Sequence, residues 1–205
     1  VCAVIFESIQ GVGGLDIPDD EFVIGMNTLC HKYNTCLIAD EVQSGFSRSG
    51  KFFAFQHNNI QPHVITMAKG MGNGFPIGGI LVHPDLKPKH GMLGTTFGGN
   101  HLACTASLAV LEIIKKNKLQ QHAESMDAYF RAKAEKISGA KIKGRGLMLG
   151  LEFNFEVGPL RKRLIYEKNI FTGGSSKKNV LRILPPLTVQ KEHFDRFFDA
   201  LEDLL

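Results

Sequence analysis

The sequence predicts an α/β fold in which helices cover a mainly parallel sheet and a smaller α+β domain follows. Two observations predict the sheet: short apolar runs recur through the first half, and amphipathic segments of helical spacing separate them. A third predicts the second domain, because the pattern changes after a long helical stretch that begins near His101. With 205 residues, of which 43% are hydrophobic and 21% charged, the chain can bury a sizeable core without disulfides or metals.

The first three predicted strands each end at a charged residue. They are the runs 3–6, 36–39 and 63–68, which end at Glu7, Asp40 and Lys69. Between the first two lies a predicted helix that Asp19 and Asp20 are placed to cap. Its apolar residues recur at helical spacing: Phe22, Val23, Met26 and Leu29. Because ligands bind outside the carboxyl ends of parallel strands, we expect the three charged side chains to lie at a common edge of the sheet.

The remaining elements are predicted from the same two periodicities. They are a strand at 77–82, a helical stretch at 101–137 with a break near Asn117, a strand at 147–155, a helix at 160–167, a strand at 180–184 and a helix at 192–205. We therefore expect the later part of a large domain over residues 1–115 and a small C-terminal domain over residues 116–205.

Charge and cysteine content exclude several classes of function. Lys plus Arg is 24 and Asp plus Glu is 20, and this net charge of +4 is scattered, which does not predict nucleic-acid binding. No apolar run approaches the ~20 residues that span a bilayer. The four cysteines form no C-x-x-C pair, and Cys30 with His31 lacks the spacing of a zinc site. We expect reduced thiols, no metal and a cytoplasmic protein.

Lys69 and Asp40 are the candidate catalytic residues. Lys69 follows an apolar strand and precedes three glycines, and a lysine amine that is partly desolvated can act as a nucleophile. Asp40 ends a buried run, where an unpaired carboxylate is costly. Pyridoxal phosphate requires an aldimine-forming lysine and an acid partner for its pyridinium nitrogen, so the pair predicts this cofactor. Gln43 is placed to hydrogen-bond the ring hydroxyl.

Each of these residues also has another interpretation. Lys69 can be a strand-end lysine that reaches solvent, and Asp40 can be a loop cap or one half of a buried ion pair. Residues 45–51 match the spacing G-x-x-x-x-G-K of a nucleotide-binding loop. However, Phe52 stands where that loop needs Ser or Thr, and no strand leads into its glycines.

Two further segments carry candidate binding residues. Thr95 and Thr96 precede two glycines and Asn100 at the predicted start of the long helix. Their hydroxyls and the free amides of a helix N-terminus suit a phosphate, whereas Asn100 alone would simply cap the helix. Arg182 interrupts the apolar strand at 180–184, where a guanidinium can bind a substrate carboxylate with two hydrogen bonds or face solvent.

Taken in chain order, several motifs resemble those of the class III aminotransferases, and within the class those of acetylornithine and succinylornithine aminotransferases. These motifs span nearly the whole chain and lie at residues 7–11, 38–45, 68–70, 76–79, 95–100, 145–148 and 182–187. The resemblance implies fold type I and a homodimer with active sites shared between subunits. It also implies that an amino group passes from acetylornithine or succinylornithine to 2-oxoglutarate, in arginine biosynthesis.

The resemblance implies a role for each matching residue. Lys69 would form the aldimine with the cofactor, Asp40 would pair with the ring nitrogen, and Gln43 would approach the ring oxygen. Thr96 would bind the cofactor phosphate of the neighbouring subunit. The substrate side would be served by Arg182, which would bind a carboxylate, and by Glu7, which would lie near cofactor and substrate.

The sequence departs from the family pattern at two positions. Ser8 stands where the family has proline, and Val12 stands where ornithine-type members carry a glutamate that can pair with the arginine matching Arg182. Ornithine, 4-aminobutyrate and other ω-amino-acid transaminases therefore stay open as alternatives, as does, in another class, a non-catalytic binding subunit that retains the fold. The family's N-terminal phosphate loop and ring-stacking aromatic residue have no match here, so we expect a fragment that is inactive by itself.

Overall fold

A computed structural model describes residues 1–87, 89–92 and 94–205. The chain divides into two compact units. Unit 1 comprises residues 1–8, 18–46 and 51–118, and unit 2 comprises residues 9–17, 47–50 and 119–205. The domain boundary expected near residue 115 stays a prediction.

Unit 1 contains a four-stranded sheet in the order β1-β2-β3-β4. The strands are β1 (Ala3–Phe6), β2 (Cys36–Asp40), β3 (Val64–Met67) and β4 (Gly79–Val82). The first three are parallel to one another, and β4 pairs with β3 in the antiparallel direction. The mainly parallel sheet that the apolar runs predict is therefore confirmed, with a reversed strand at one edge.

The described part of unit 1 has two α-helices, α1 (Asp20–Lys32) and α2 (His101–Lys116), and two short 3-10 helices, Ala54–His57 and Lys69–Met71. Val23 and Cys30 of α1 pack with Leu37 of β2 in a buried cluster. The apolar pattern of α1 overstates its buried face, since Phe22 and Leu29 are 64% and 55% exposed.

The caps of these helices differ from one another. The prediction that an aspartate side chain caps α1 is wrong, because Asp19 occupies the N-cap position without a side-chain hydrogen bond. Asp20 instead accepts a hydrogen bond from Asn58. Asn100 does cap α2, because its Oδ1 accepts a hydrogen bond of 3.0 Å from the Ala103 amide.

Unit 2 is built on an antiparallel three-stranded sheet in the order β5-β6-β7. Its elements are α3 (Leu119–Ala134), β5 (Lys141–Arg145), β6 (Met148–Glu152), α4 (Gly158–Lys168), β7 (Val180–Ile183) and α5 (Lys191–Leu204). The break expected near Asn117 is confirmed, since α2 ends at Lys116 and α3 begins at Leu119. Strand β5 was not predicted, because it is short and polar.

The core of unit 2 lies between this sheet and its helices. Leu149 and Leu181 of the sheet are fully buried and belong to the same cluster as Phe130 and Phe198 of the helices. The two phenylalanine rings lie 5.0 Å apart between centroids. Aromatic side chains remove large apolar areas from water, so this cluster supplies the main stabilisation of the unit. In the part of the chain that the structure describes, no helix is long and apolar enough to cross a membrane.

Candidate functional site

The carboxyl ends of β1, β2 and β3 lie at one edge of the unit 1 sheet. Parallel pairing places Phe6 beside Ala39 and Asp40 beside Thr66, so the three strands finish at the same level. Glu7 follows β1 directly, Asp40 is the last residue of β2, and Lys69 comes two residues after β3. The topology therefore brings an acid, a second acid and an amine to this edge, as expected for ligand binding by a parallel sheet.

The carboxylate of Asp40 is held on one side only. Its Oδ1 atom accepts hydrogen bonds from the Val42 amide at 3.0 Å and from the Thr66 hydroxyl at 3.2 Å. Its Oδ2 atom accepts none from the residues that the structure describes. A half-buried carboxylate with one fixed oxygen and one available oxygen suits a partner with a charged N–H group.

Lys69 lies in a strained turn that follows β3, the strand next to the one that ends at Asp40. Its φ angle is +44°, in the left-handed region that non-glycine residues rarely adopt, and it begins a short 3-10 helix, Lys69–Met71. Gly72 permits the following bend, because a Cβ there would lie 2.3 Å from the Phe75 carbonyl oxygen. The exposed Lys69 lines a cavity of about 450 Å³ with Gly70 and Pro76, so its amine is accessible to a small molecule.

Gln43 and Thr96 make no side-chain hydrogen bonds to the described residues. Gln43 is half-buried, three residues beyond Asp40, and Thr96 is exposed. A cavity of about 360 Å³ lies at the N-terminus of α2, and Thr95 lines it together with Gly78 and Gly99. The amides of this glycine-rich turn and of the helix N-terminus suit an anion. The phosphate-binding role expected for Thr96 stays a prediction.

Arg182 lies in unit 2, on β7. Its main chain forms a bridge with Gly173, through hydrogen bonds of 2.8 and 3.0 Å. Its Nη1 atom donates a hydrogen bond of 2.8 Å to the Gly11 carbonyl oxygen. Its Nε atom is buried without a partner among the described residues. A buried guanidinium N–H without an acceptor is costly, and the carboxylate-binding role expected for Arg182 stays a prediction.

The structure also shows an organising residue that the sequence analysis did not single out. Glu41 is 1% exposed, and its carboxylate accepts hydrogen bonds from the Ser44 hydroxyl and from the amides of Ala54 and Phe55. Burial raises the pKa of Glu41, while these three hydrogen bonds act in the opposite direction. The signal was present in the sequence as a second acid at the end of a buried strand.

A second unforeseen residue, Arg48, organises unit 2. Its Nη1 atom donates hydrogen bonds to the carbonyl oxygens of Leu147 and Pro185, and its own carbonyl accepts one from the Leu147 amide. Burial lowers the pKa of this guanidinium. Arg48 thus connects the β5-β6 turn, through Leu147, to the segment that follows β7, through Pro185.

The residues at these positions fit pyridoxal phosphate by their chemistry. An accessible amine at Lys69 and an available oxygen of Asp40 meet the two requirements of the cofactor ring. No cluster of three or more His, Cys, Asp or Glu residues in the described ranges is arranged to hold a metal ion.

Comparison with known proteins gives a consistent result. The chain matches the family "Aminotransferase class-III" over residues 1–205. It is 41% identical over 204 residues to the acetylornithine aminotransferase of Aquifex aeolicus, covering 98% of this chain and 53% of that protein. The chain thus spans about half the length of the curated relatives it matches.

Solved structures share the fold. The ornithine aminotransferase of Plasmodium yoelii superposes with a TM-score of 0.89 at 30% identity, covering 99% of this chain and 56% of that one. That of Toxoplasma gondii, which has PLP at partial occupancy in its active site, superposes with a TM-score of 0.87 at 30% identity, covering 98% of this chain and 50% of that one.

Proposed function

Since the chain belongs to the class III aminotransferases, we propose that it forms part of a pyridoxal-phosphate-dependent transaminase that moves an amino group from an N-acylated ornithine to 2-oxoglutarate. The observation that carries this proposal is the placement of Asp40 and Lys69 at the ends of neighbouring parallel strands, one with an available carboxylate oxygen and the other with an accessible amine.

The cofactor, when bound, supplies an aldehyde and a protonated ring that withdraws electrons from the substrate's α-carbon. Lys69 would anchor the aldehyde carbon and then carry the proton at the α-carbon. Asp40 would hold the proton on the ring nitrogen, because an anion beside an N–H favours its charged form. Gln43 would donate a hydrogen bond to the oxygen on the cofactor ring. Thr96 and the N-terminus of α2 would bind the phosphate of the cofactor in the neighbouring subunit.

The amino donor is proposed from the relatives and from Arg182. The Aquifex aeolicus relative is an acetylornithine aminotransferase, which favours an N-acylated ornithine and a place in arginine biosynthesis. Arg182 would bind a carboxylate of this donor or of 2-oxoglutarate, and Glu7 would lie near the cofactor and substrate. Ornithine is the second candidate, because the Plasmodium yoelii neighbour is an ornithine aminotransferase.

The proposed assembly is a homodimer in the cytoplasm. Thr96 is exposed in this chain, which agrees with a role in a neighbouring subunit's site. All four cysteines are free thiols, which is typical of proteins from a reducing compartment.

The first experiment identifies the cofactor and its anchor. Full-length protein is loaded with pyridoxal phosphate, its absorbance spectrum is recorded, and the complex is reduced with borohydride and mapped by peptide mass spectrometry. We expect a pyridoxyl adduct on Lys69, no adduct in Lys69→Ala, and an adduct as in the unsubstituted protein in the control Lys115→Ala. A folded, cofactor-saturated protein without any adduct on Lys69 would rule out the proposed mechanism.

The second experiment identifies the donor. The loaded protein is offered acetylornithine, succinylornithine, ornithine and 4-aminobutyrate, each with 2-oxoglutarate, and glutamate formation is measured. We expect the largest kcat/KM for an N-acylated ornithine. A larger value for free ornithine would replace the proposed donor and leave the transaminase proposal intact.

A further inference from the structure

Glu41 is a buried carboxyl group that has no cationic partner among the described residues. Its side chain is 1% exposed, and no Lys, Arg or His of the described chain lies within ion-pair distance of it. Its two oxygen atoms instead accept hydrogen bonds from three neutral donors. Oε2 accepts from the Ser44 hydroxyl at 2.6 Å and the Ala54 amide at 2.9 Å, and Oε1 accepts from the Phe55 amide at 2.9 Å. Burying a carboxylate is costly unless it is hydrogen-bonded in this way.

These hydrogen bonds join two turns of unit 1 that are separate in sequence. Ser44 belongs to the turn directly after β2, whereas Ala54 and Phe55 begin the 3-10 helix Ala54–His57. The Glu41 carbonyl also accepts a hydrogen bond from the Gly45 amide at 3.0 Å. A Cβ at Gly45 would lie 2.8 Å from that carbonyl oxygen, so only glycine allows this close approach. Glu41 therefore closes residues 42–46 against residues 51–55.

The closed turn touches Asp40 and lies beside Gly70, the residue that follows Lys69. Val42, which follows Glu41, donates its amide to the Oδ1 atom of Asp40 at 3.0 Å. Phe46, at the end of the same turn, is buried, and its Cβ would lie 3.6 Å from a Cβ placed at Gly70, the residue after Lys69. The main chain of Glu41 is in turn anchored on β3, because its amide donates to the Thr66 carbonyl at 3.0 Å.

The structure assigns Glu41 as a positioning residue: its carboxylate holds the turn at residues 42–46 so that the Asp40 carboxylate and the Gln43 side chain reach the cofactor ring together. This assignment rests on the proposed function. Burial, and to a smaller extent the charge of Asp40, raises the pKa of Glu41. The hydrogen bonds from Ser44, Ala54 and Phe55 act in the opposite direction, so the donors that hold the turn also stabilise the Glu41 carboxylate.

The test compares Glu41→Gln with Ser44→Ala in cofactor-loaded, full-length protein. Gln presents an NH₂ group where Glu41 accepts amide hydrogens, so at least one of the amides of Ala54 and Phe55 loses its acceptor. We expect Glu41→Gln to keep the reduced adduct on Lys69 but to shift the absorbance band of the bound cofactor. We expect kcat to fall by up to about a hundredfold, because a displacement of about an ångström has that effect, with the donor KM nearly unchanged. Ser44→Ala removes one donor only, and we expect the same changes reduced to about three- to tenfold in kcat.

Thermal unfolding of the cofactor-free proteins separates positioning from stability alone. A Glu41→Gln protein that melts earlier but has the spectrum and kcat of the unsubstituted protein would overturn the assignment. If Glu41→Gln does not fold, Ser44→Ala decides, and an unchanged spectrum and kcat in that variant overturns it equally. If the unsubstituted protein gives no adduct on Lys69, the proposed function has failed and the assignment falls with it. If the unsubstituted protein has an adduct on Lys69 and both variants keep its spectrum and kcat, the positioning role of Glu41 is refuted and the proposed function is not.

Discussion

The Nη1 atom of Arg182 donates a hydrogen bond of 2.8 Å to the main-chain carbonyl oxygen of Gly11, 171 residues earlier in the chain. The Nε atom of the same guanidinium is buried without a partner among the described residues. Val12, the neighbour of Gly11, is 57% exposed, and this position offers an aliphatic side chain. The arginine is therefore oriented by a neutral carbonyl oxygen and not by a carboxylate.

Arg182→Lys should weaken the binding of carboxylate substrates. A lysine ammonium cannot donate to the Gly11 carbonyl and to a carboxylate with the planar geometry of a guanidinium. We expect KM for 2-oxoglutarate to rise roughly ten- to a hundredfold, the range for a hydrogen bond to a charged group, with a smaller change in kcat. Steady-state kinetics measure this, and Arg196→Lys on the exposed face of α5 serves as control. Equal KM values in both variants would contradict the role.

Lys69→Gly should be more stable than Lys69→Ala when both proteins are free of cofactor. The φ angle of +44° is strained for any residue with a Cβ and relaxed for glycine. We expect a difference of about 1 kcal/mol in the free energy of unfolding, measured by urea denaturation. The matched control is Glu112 in α2, where the order should reverse, because glycine destabilises a helix by about 1 kcal/mol relative to alanine. The same order at both positions would exclude backbone strain at Lys69.

Asp16 should stabilise unit 2 at neutral pH but not in acid. Hydrogen bonds from Lys143 and Lys177 hold the pKa of Asp16 below its usual value of 3.8. Between the two pKa values the unfolded state binds more protons than the folded state, so this stability is lost as the pH falls below about 4.

We expect Asp16→Asn to lower the free energy of unfolding at pH 7 by about 1 kcal/mol, since an ion pair this close to solvent contributes little more. The difference from the unsubstituted protein should shrink as the solution is acidified. Denaturant titrations over a pH series measure it, with Asp19→Asn, whose side chain does not cap α1, as the control. A difference that does not change with pH would show that Asp16 acts by packing and not by charge.

Gly146→Ala should destabilise unit 2 more than Gly139→Ala. Both glycines have positive φ angles, of +64° and +76°. A Cβ at Gly146 would lie 2.5 Å from the main chain of Ser49, whereas a Cβ at Gly139 has nothing within 4 Å. We expect Gly139→Ala to cost about 1 kcal/mol through backbone strain. Gly146→Ala should cost more than that, because the turn and residues 47–50 must also separate. Similar unfolding midpoints for the two variants would refute the contact.

Much of unit 1 could be predicted because its signals are local. An apolar run followed by a charged residue predicts a buried strand and the charged side chain at its carboxyl end. The runs at 3–6, 36–39 and 63–68 do contain strands, and these strands are neighbours in the sheet. The direction of β4 and the existence of β5 could not be predicted, since strand direction and the pairing of a polar run depend on the rest of the sheet.

The sequence by itself determined the parallel strands, the break near Asn117, the family resemblance and the residues proposed to carry the chemistry, because periodicity and motif spacing are properties of neighbouring residues. The tertiary structure alone decided the partners. In the folded chain, three donors form hydrogen bonds with the Glu41 carboxylate, and one oxygen of Asp40 remains without a hydrogen bond from the described residues. Lys69 has a left-handed backbone, and Arg182 donates a hydrogen bond to Gly11. Such contacts depend on how distant segments fold together, and no local pattern of apolar and polar residues encodes them.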